Sequence, residues 1–458
     1  NSLPKRKQGL AGRLSYAYDG KYMAEVNMGY NGSENFAKGH RWGFFPSIAL
    51  GYNISEESFF EPLRKVITSM KLRGSWGLVG NDQIGGERFI YMPTINLSGK
   101  GFTTGIDQNY GLSGPVYTRY ENNSITWEVG EKINLGIDLQ LLNSLNIVVD
   151  IFRETRRDIF QKKGTIPTYL GTGNTDVFGN LAEMKNQGLD LSIDYNKAFS
   201  KDFYMNFKGT FTYAHNEITK YDEAPKYAFQ SKVGQSANVS QGYLSNGLFL
   251  DEAEIDRYNQ QMGSTLGAGD IKYLNVSNMH GYGDDIVDVD DWTWIGNPTV
   301  PEIVYGFGPS FKYKNWDFSF FFQGVAKTSL FMSGFHPFGD NSLRNVLQFV
   351  ANDRWSPTNQ NVDAKYPRLT RKTSLNNTNP GNSGRTSDYW MRDGSFLKLK
   401  NAEVGYTFKG WRFYLSGQNL LTFSPFDYWD PEMGSGSGMK YPTQRIINFG
   451  IQVTFNNK

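Results

Sequence analysis

No cysteine occurs anywhere in the chain. Its absence excludes a disulfide framework, a thiolate metal site and a cysteine nucleophile. Histidine is scarce, and His40, His215, His280 and His336 share no metal-ligand spacing. No apolar run approaches the roughly 20 residues that a membrane-spanning helix needs. Neither sign of charge dominates: 47 Lys and Arg face 45 Asp and Glu, a net +2. Nothing therefore marks a nucleic-acid footprint. Catalytic signatures are missing as well. No Gly-x-Ser-x-Gly elbow or phosphate loop is present, and Leu170-Gly171-Thr172-Gly173-Asn174 reads as loop. Two acids flanking a cleft could hydrolyse sugars. Acids scattered over loops and polar faces form such pairs by chance, so no enzyme is expected. The start, Asn1-Ser2-Leu3-Pro4-Lys5-Arg6-Lys7-Gln8, lacks an initiator Met and an apolar signal region.

What is abundant points the other way. Aromatics make up 15% of the 458 residues, and 50 residues are glycine. Phe and Tyr favour half-buried strands, while glycine supplies turns and bulges. A mean hydropathy of -0.51 is too polar for a helical membrane protein. It suits a barrel, where one residue in two faces a wet interior.

Alternation runs through most of the chain. Leu10, Gly12, Leu14, Tyr16 and Tyr18 share one face, and after Asp19-Gly20 come Tyr22, Ala24, Val26, Met28 and Tyr30. Asp-Gly between alternating runs marks a hairpin. Ile133, Leu135, Ile137, Leu139 and Leu141 alternate with Lys132, Asn134, Gly136, Asp138 and Gln140. At the other end, Ile447, Phe449, Ile451, Val453 and Phe455 oppose Ile446, Asn448, Gly450, Gln452 and Thr454. Each set describes a strand with one apolar and one largely polar face.

Connections alternate too. Short turns are expected near Asp19-Gly20, Asn143-Ser144, Phe199-Ser200, Lys314-Asn315 and Lys409-Gly410, with a short helix from Ser58 to Ile67 in the same series. Long Gly- and Asn-rich loops are expected near 31–41, 80–126, 157–184, 216–300, 327–393 and 422–442. Short turns at one end and long loops at the other are the pattern of an outer-membrane barrel. A soluble sandwich rarely carries such long loops at one end only. The strand count is about thirteen, and a bacterial single-chain barrel closes with an even number. An unpaired edge is not left in lipid. The reading is an all-β, transmembrane antiparallel barrel of which residues 1–458 form the C-terminal part. Further strands are expected before Asn1.

Several stretches resemble one family. They are Trp42-Gly43-Phe44-Phe45-Pro46-Ser47, Leu72-Arg73-Gly74-Ser75-Trp76-Gly77, Trp127-Glu128-Val129-Gly130-Glu131-Lys132, Asp353-Arg354-Trp355-Ser356-Pro357 and Lys365-Tyr366-Pro367-Arg368-Leu369. Trp390-Met391-Arg392-Asp393-Gly394-Ser395-Phe396-Leu397-Lys398-Leu399-Lys400-Asn401 and Ser416-Gly417-Gln418-Asn419-Leu420 complete the set. In this order they resemble the C-terminal half of a TonB-dependent outer-membrane transporter of the SusC/RagA type. The resemblance implies a barrel of about 22 strands, a plug and TonB-contacting segment outside this chain, and a SusD-like lipoprotein lid. Its cargo would be a glycan or a peptide too large for porins. Lipid and lipopolysaccharide would surround the wall. A non-transporting structural or adhesion barrel and a soluble β-rich glycan-binding protein are the alternatives.

Family members often carry an acidic, calcium-like loop after Gly-Asp-Ile-Lys-Tyr. Here Gly269-Asp270-Ile271-Lys272-Tyr273 is followed by Leu274-Asn275-Val276-Ser277-Asn278-Met279-His280-Gly281, which breaks the acidic spacing. Asp284, Asp285, Asp288, Asp290 and Asp291 remain and could offer oxygen ligands to calcium, or form a solvated acidic loop. The loops also hold Tyr110, Tyr117, Tyr282, Trp292, Trp294, Phe335, Phe338, Trp355, Tyr428 and Trp429. Such rings stack on sugars or peptide side chains, or pack loops together. Trp292 and Trp294, beside the acids, are the foremost candidates for contact with a ligand or lid.

Overall fold

A computed structural model describes residues 6–84, 88–167, 175–258, 260–261, 266–335, 338, 345–371 and 386–455. The Gly-rich 170–174 stretch and His336 lie outside these residues. Among them, thirteen strands form one sheet in chain order. The first seven are Lys7–Tyr18, Tyr22–Ser33, Trp42–Asn53, Ile67–Asn81, Glu128–Leu141, Leu145–Lys162 and Phe178–Ala198. The other six are Phe203–Lys220, Ile303–Tyr313, Trp316–Ala326, Phe396–Phe408, Trp411–Phe423 and Ile446–Val453. Within this sheet the neighbouring strands whose register is described run antiparallel. The chain divides into two compact units.

Unit one comprises Asn1–Asp194, Ala214–Ala224 and Lys232–Ser236. Its register turns alternation into rows. Tyr16, Ala24, Leu50, Gly74, Leu135 and Ile151 are successive cross-strand partners. On the opposite face, Arg13, Asn27, Ser47, Gly77, Lys132 and Glu154 form another such row. The apolar face is uncovered: Leu10 is 73% exposed, Leu14 72% and Leu135 62%. A water-soluble sheet buries that face, so its exposure fits a surface that meets lipid.

Unit two comprises Tyr195–Tyr213, Pro225–Ser231 and Ala237–Lys458. It repeats the pattern with larger rings. Met205, Phe311, Phe318, Val404, Leu415 and Phe449 are successive partners across its strands. The last strand is exposed along its apolar side, with Phe449 at 69%.

The tight turns follow local chemistry. Asp19 and Gly20 have φ of 52° and 64°, and Lys409 and Gly410 have 48° and 85°, as a two-residue hairpin connection requires. Beyond Leu141 the left-handed residues are Leu142 and Asn143, one position before the expected Asn143-Ser144. The expected helix at Ser58 to Ile67 is two short 3₁₀ turns, Ile54–Glu56 and Ser58–Leu63, and Ile67 already begins a strand. Pro62 lies inside the second turn, where its missing N–H and its ring oppose a regular α-helix.

The long connections are more ordered than expected. Segment 80–126 holds a hairpin, Thr94–Thr104 with Tyr110–Arg119. Strands Leu145–Lys162 and Phe178–Ala198 continue into segment 157–184 and shorten that loop to 163–177. Once it leaves the lipid, a strand loses the apolar period that reveals it in sequence.

Candidate functional site

The loops of unit two are built around a hydrophobic core, and the family-like stretches meet there. Arg368 donates from Nε to Oδ1 of the buried Asp270 at 2.5 Å and from Nη2 to Oδ2 at 2.9 Å. This two-pronged pair ties Gly269-Asp270-Ile271 to Tyr366-Pro367-Arg368. Gly269 sits at φ +82°, and a Cβ there would lie 2.3 Å from the Trp355 ring. Glycine is thus required both for the backbone and for the tryptophan above it. Trp390 packs with its ring centre 5.2 Å from Phe338 and 6.1 Å from Tyr366. Burial in this core pushes the phenols of Tyr243, Tyr273 and Tyr366 upward.

This core accounts for most of the loop aromatics singled out by sequence. Trp355, Phe335 and Phe338 are buried in it, and Trp292, Tyr428 and Trp429 pack half-buried against it. Trp294 donates its indole N–H to the Ser231 carbonyl at 2.8 Å. Of these eight rings, Tyr282 is the exposed one, its ring centre 4.2 Å from that of Tyr227. Tyr227 stacks on Phe229 at 5.4 Å, and His280 stacks on Phe229 at 4.6 Å. Tyr282 therefore belongs to an accessible patch that sequence did not bring together, because residues 227–229 and 280–282 lie far apart in the chain.

Four of the five acidic residues are engaged within the loop itself. Asp291 accepts from the Ser277 amide at 2.9 Å and from the Asp288 amide at 2.8 Å. Asp288 accepts from the Asp290 amide at 2.8 Å, which completes a capping box over a short 3₁₀ turn. Asp284 accepts from the Ser277 hydroxyl at 3.0 Å and from the Ile286 amide at 3.2 Å. Asp290 pairs with Lys226, and Asp285 is exposed. Among the described residues, no three His, Asp or Glu side chains form a group that could hold a metal. Burial, with the charge of Asp284 adding to it, raises the Asp291 carboxyl against the amides that stabilise its anion.

Two further devices order the strands and their loops. Arg73 donates to Asp138 at 3.0 Å and to Asp150 at 2.6 Å, and Arg412 pairs with both Asp317 and Glu403. Lys398, fully buried, donates to Asp430 and Glu432 at 2.6 Å each and so anchors the last long loop to its strand.

In unit one the hairpin stands apart in character. Leu97 is 77% exposed, Phe102 71%, and Tyr110 and Tyr117 are also uncovered. A two-stranded hairpin is marginal alone, and this one leaves several large apolar side chains exposed. Sequence had singled out only the two tyrosines, because the hairpin's alternation is broken by irregular register between Asn96 and Gly99 and between Lys100 and Thr103.

Residues 2–420 match the family described as "TonB dependent receptor-like, beta-barrel". The chain belongs to this family. It is accordingly an outer-membrane β-barrel chain of a family of transporters rather than enzymes, and the soluble alternative is set aside. "TonB-dependent receptor P3" of Formosa agariphila is 27% identical to it, over 97% of this chain and 45% of the relative. "TonB-dependent receptor SusC" of Bacteroides thetaiotaomicron is 28% identical, over 97% of this chain and 43% of the relative. The chain thus spans a little under half the length of these curated relatives. Among solved structures, "Structure of the RagAB peptide transporter" superimposes with a TM-score of 0.72 at 20% identity, over 98% of this chain and 47% of that one. That likeness establishes the fold of this TonB-dependent receptor chain. The relatives are of the SusC/RagA type, as the resemblance of the quoted stretches implied.

Proposed function

We propose that this receptor chain is part of an importer that takes a large nutrient, an oligosaccharide or an oligopeptide, across the outer membrane. It works with a SusD-like surface lipoprotein and draws its energy from TonB. The relatives support this reading, one named SusC and another described as a RagAB peptide transporter. The observation that carries it is the exposed apolar hairpin Thr94–Thr104 and Tyr110–Arg119. Leu97 and Phe102 cost free energy in water, roughly 25 cal/mol for each Å² of apolar surface. A partner that covers them recovers that cost, as a lid docked on the outer loops would.

The decisive test deletes residues 94–119, replaces them with a short Gly-Ser linker, and asks two questions. A SusD-like surface lipoprotein that co-purifies with the intact receptor should no longer do so, and growth on the imported polymer as sole nutrient should fail. Retention of both partner and growth would refute the hairpin's role. An adhesion barrel without transport predicts normal growth even when the whole receptor gene is removed.

A further inference from the structure

We propose that a recess in the loops of unit two binds the charged ends of a short peptide. This deepens the import reading and rests on it, since it names the class of cargo. The recess encloses about 530 Å³, inside the roughly 300–1,000 Å³ typical of small-ligand sites. One wall is the turn that begins at Asp251 and runs through the helix Glu252–Ile255 to Arg257 and Tyr258. The paired strands Ser245–Leu248 and Ile271–Tyr273 contribute Leu248 and Lys272, and Val362 with Asp363 forms the remaining rim.

Five charged side chains line this space, and three of them are occupied. Glu254 accepts from Lys272 Nζ at 2.7 Å through one oxygen and from the Leu250 amide at 2.7 Å through the other. Asp251 accepts from the Glu254 amide at 2.8 Å and caps the helix. Arg257 and Asp363 are different. Among the described residues neither side chain makes a hydrogen bond, although the Arg257 charge is felt by Glu254. A recess with one unengaged guanidinium, one unengaged carboxylate and an apolar lining of Leu248, Leu250 and Val362 suits a zwitterion with apolar side chains. The hydroxyls of a neutral sugar could accept from Arg257 and donate to Asp363, but would leave both charges uncompensated. A polyanionic glycan would use Arg257 but be repelled by Asp363. A peptide offers a carboxylate to the first and an ammonium to the second.

The test uses the complete receptor, purified in detergent with its partner, and calorimetry with trialanine, N-acetyl-trialanine and trialanine amide. Trialanine should bind, and blocking either end should weaken binding about tenfold, the loss of one charge-assisted hydrogen bond. Arg257→Gln should abolish the penalty for the amide alone, and Asp363→Asn the penalty for the acetyl group alone. A folding defect would not sort the probes in this way. Equal binding of all three probes, no binding of trialanine, or penalties left unchanged by both substitutions would overturn the assignment. None of these results touches import itself, which falls only if removal of the receptor gene leaves growth on every polymer tested unchanged.

Discussion

Arg73 reaches Asp150 across an intervening strand because the residue between them is Gly136. A Cβ on Gly136 would lie 2.7 Å from the guanidinium carbon and 2.7 Å from a carboxylate oxygen of Asp150. Unit two uses the same device: a Cβ on Gly405 would lie 2.6 Å from Asp317 Oδ2 and 2.7 Å from Arg412 Nη2. In each case a missing side chain lets one cation join three strands. Gly136→Val and Gly405→Val should each lower stability by about 1–3 kcal/mol, the range for overpacking a filled space. Thermal unfolding of the detergent-solubilised receptor measures this, and an unchanged midpoint would show that the bridges tolerate a side chain beneath them.

Lys398 makes a second prediction. Replacing it by Met removes two charge-assisted hydrogen bonds and leaves Asp430 and Glu432 without their buried partner. The last long loop should lose about 2 kcal/mol of local stability, seen as faster protease cleavage within 424–445. Equal cleavage rates would place the anchor elsewhere.

Two carboxylates give opposite pH dependences. Burial alone would raise Asp430, but hydrogen bonds from Lys398 and the Glu432 amide, aided by the Lys398 charge, hold it below its ordinary 3.8. A lowered carboxyl stabilises the fold above its unfolded pKa, and that contribution fades as pH falls through the folded value. Burial raises Asp291 above 3.8, so its contribution is present below that pH and is lost as pH rises through the folded value. Hydrogen exchange, corrected for intrinsic rates, should show segment 275–292 losing protection as pH rises above 3.8, and segment 424–445 losing it only as pH falls below 3.8. Asp291→Asn should flatten the first trend. The same trend in both segments would contradict these assignments.

Trp355 and Tyr282 separate packing from contact. Trp355→Ala should cost about 3–5 kcal/mol, as for a large ring removed from a core. Tyr282→Ala should change stability by no more than about 0.5 kcal/mol, as for an exposed position. Thermal unfolding of both variants checks this, and a large loss at Tyr282 would make it structural.

How much could be read beforehand depended on where a residue sits relative to lipid. Leu135 and Asp138 announce their faces because a strand between lipid and water must alternate. Segment 178–184 does not, since its apolar residues are taken up by loop packing, Phe178 against Phe160 and the cluster around Phe36 and Trp127. The loop aromatics were visible as residue types, but Trp355 in the core and Tyr282 on the surface look alike in sequence. Burial in a loop core depends on partners far along the chain, such as Arg368 closing on Asp270 from 98 residues away.

The order of residues by itself determined the wall: two-residue periodicity, turn chemistry at Asp19-Gly20 and Lys409-Gly410, and the alternation of short and long connections. These are local properties, set by successive side chains pointing to opposite faces and by backbone angles that few residues adopt. Only the tertiary structure decided which rings pack, which acids cap their own loop, and which charges are left without a partner. Those outcomes come from contacts between distant segments, and no local period encodes them.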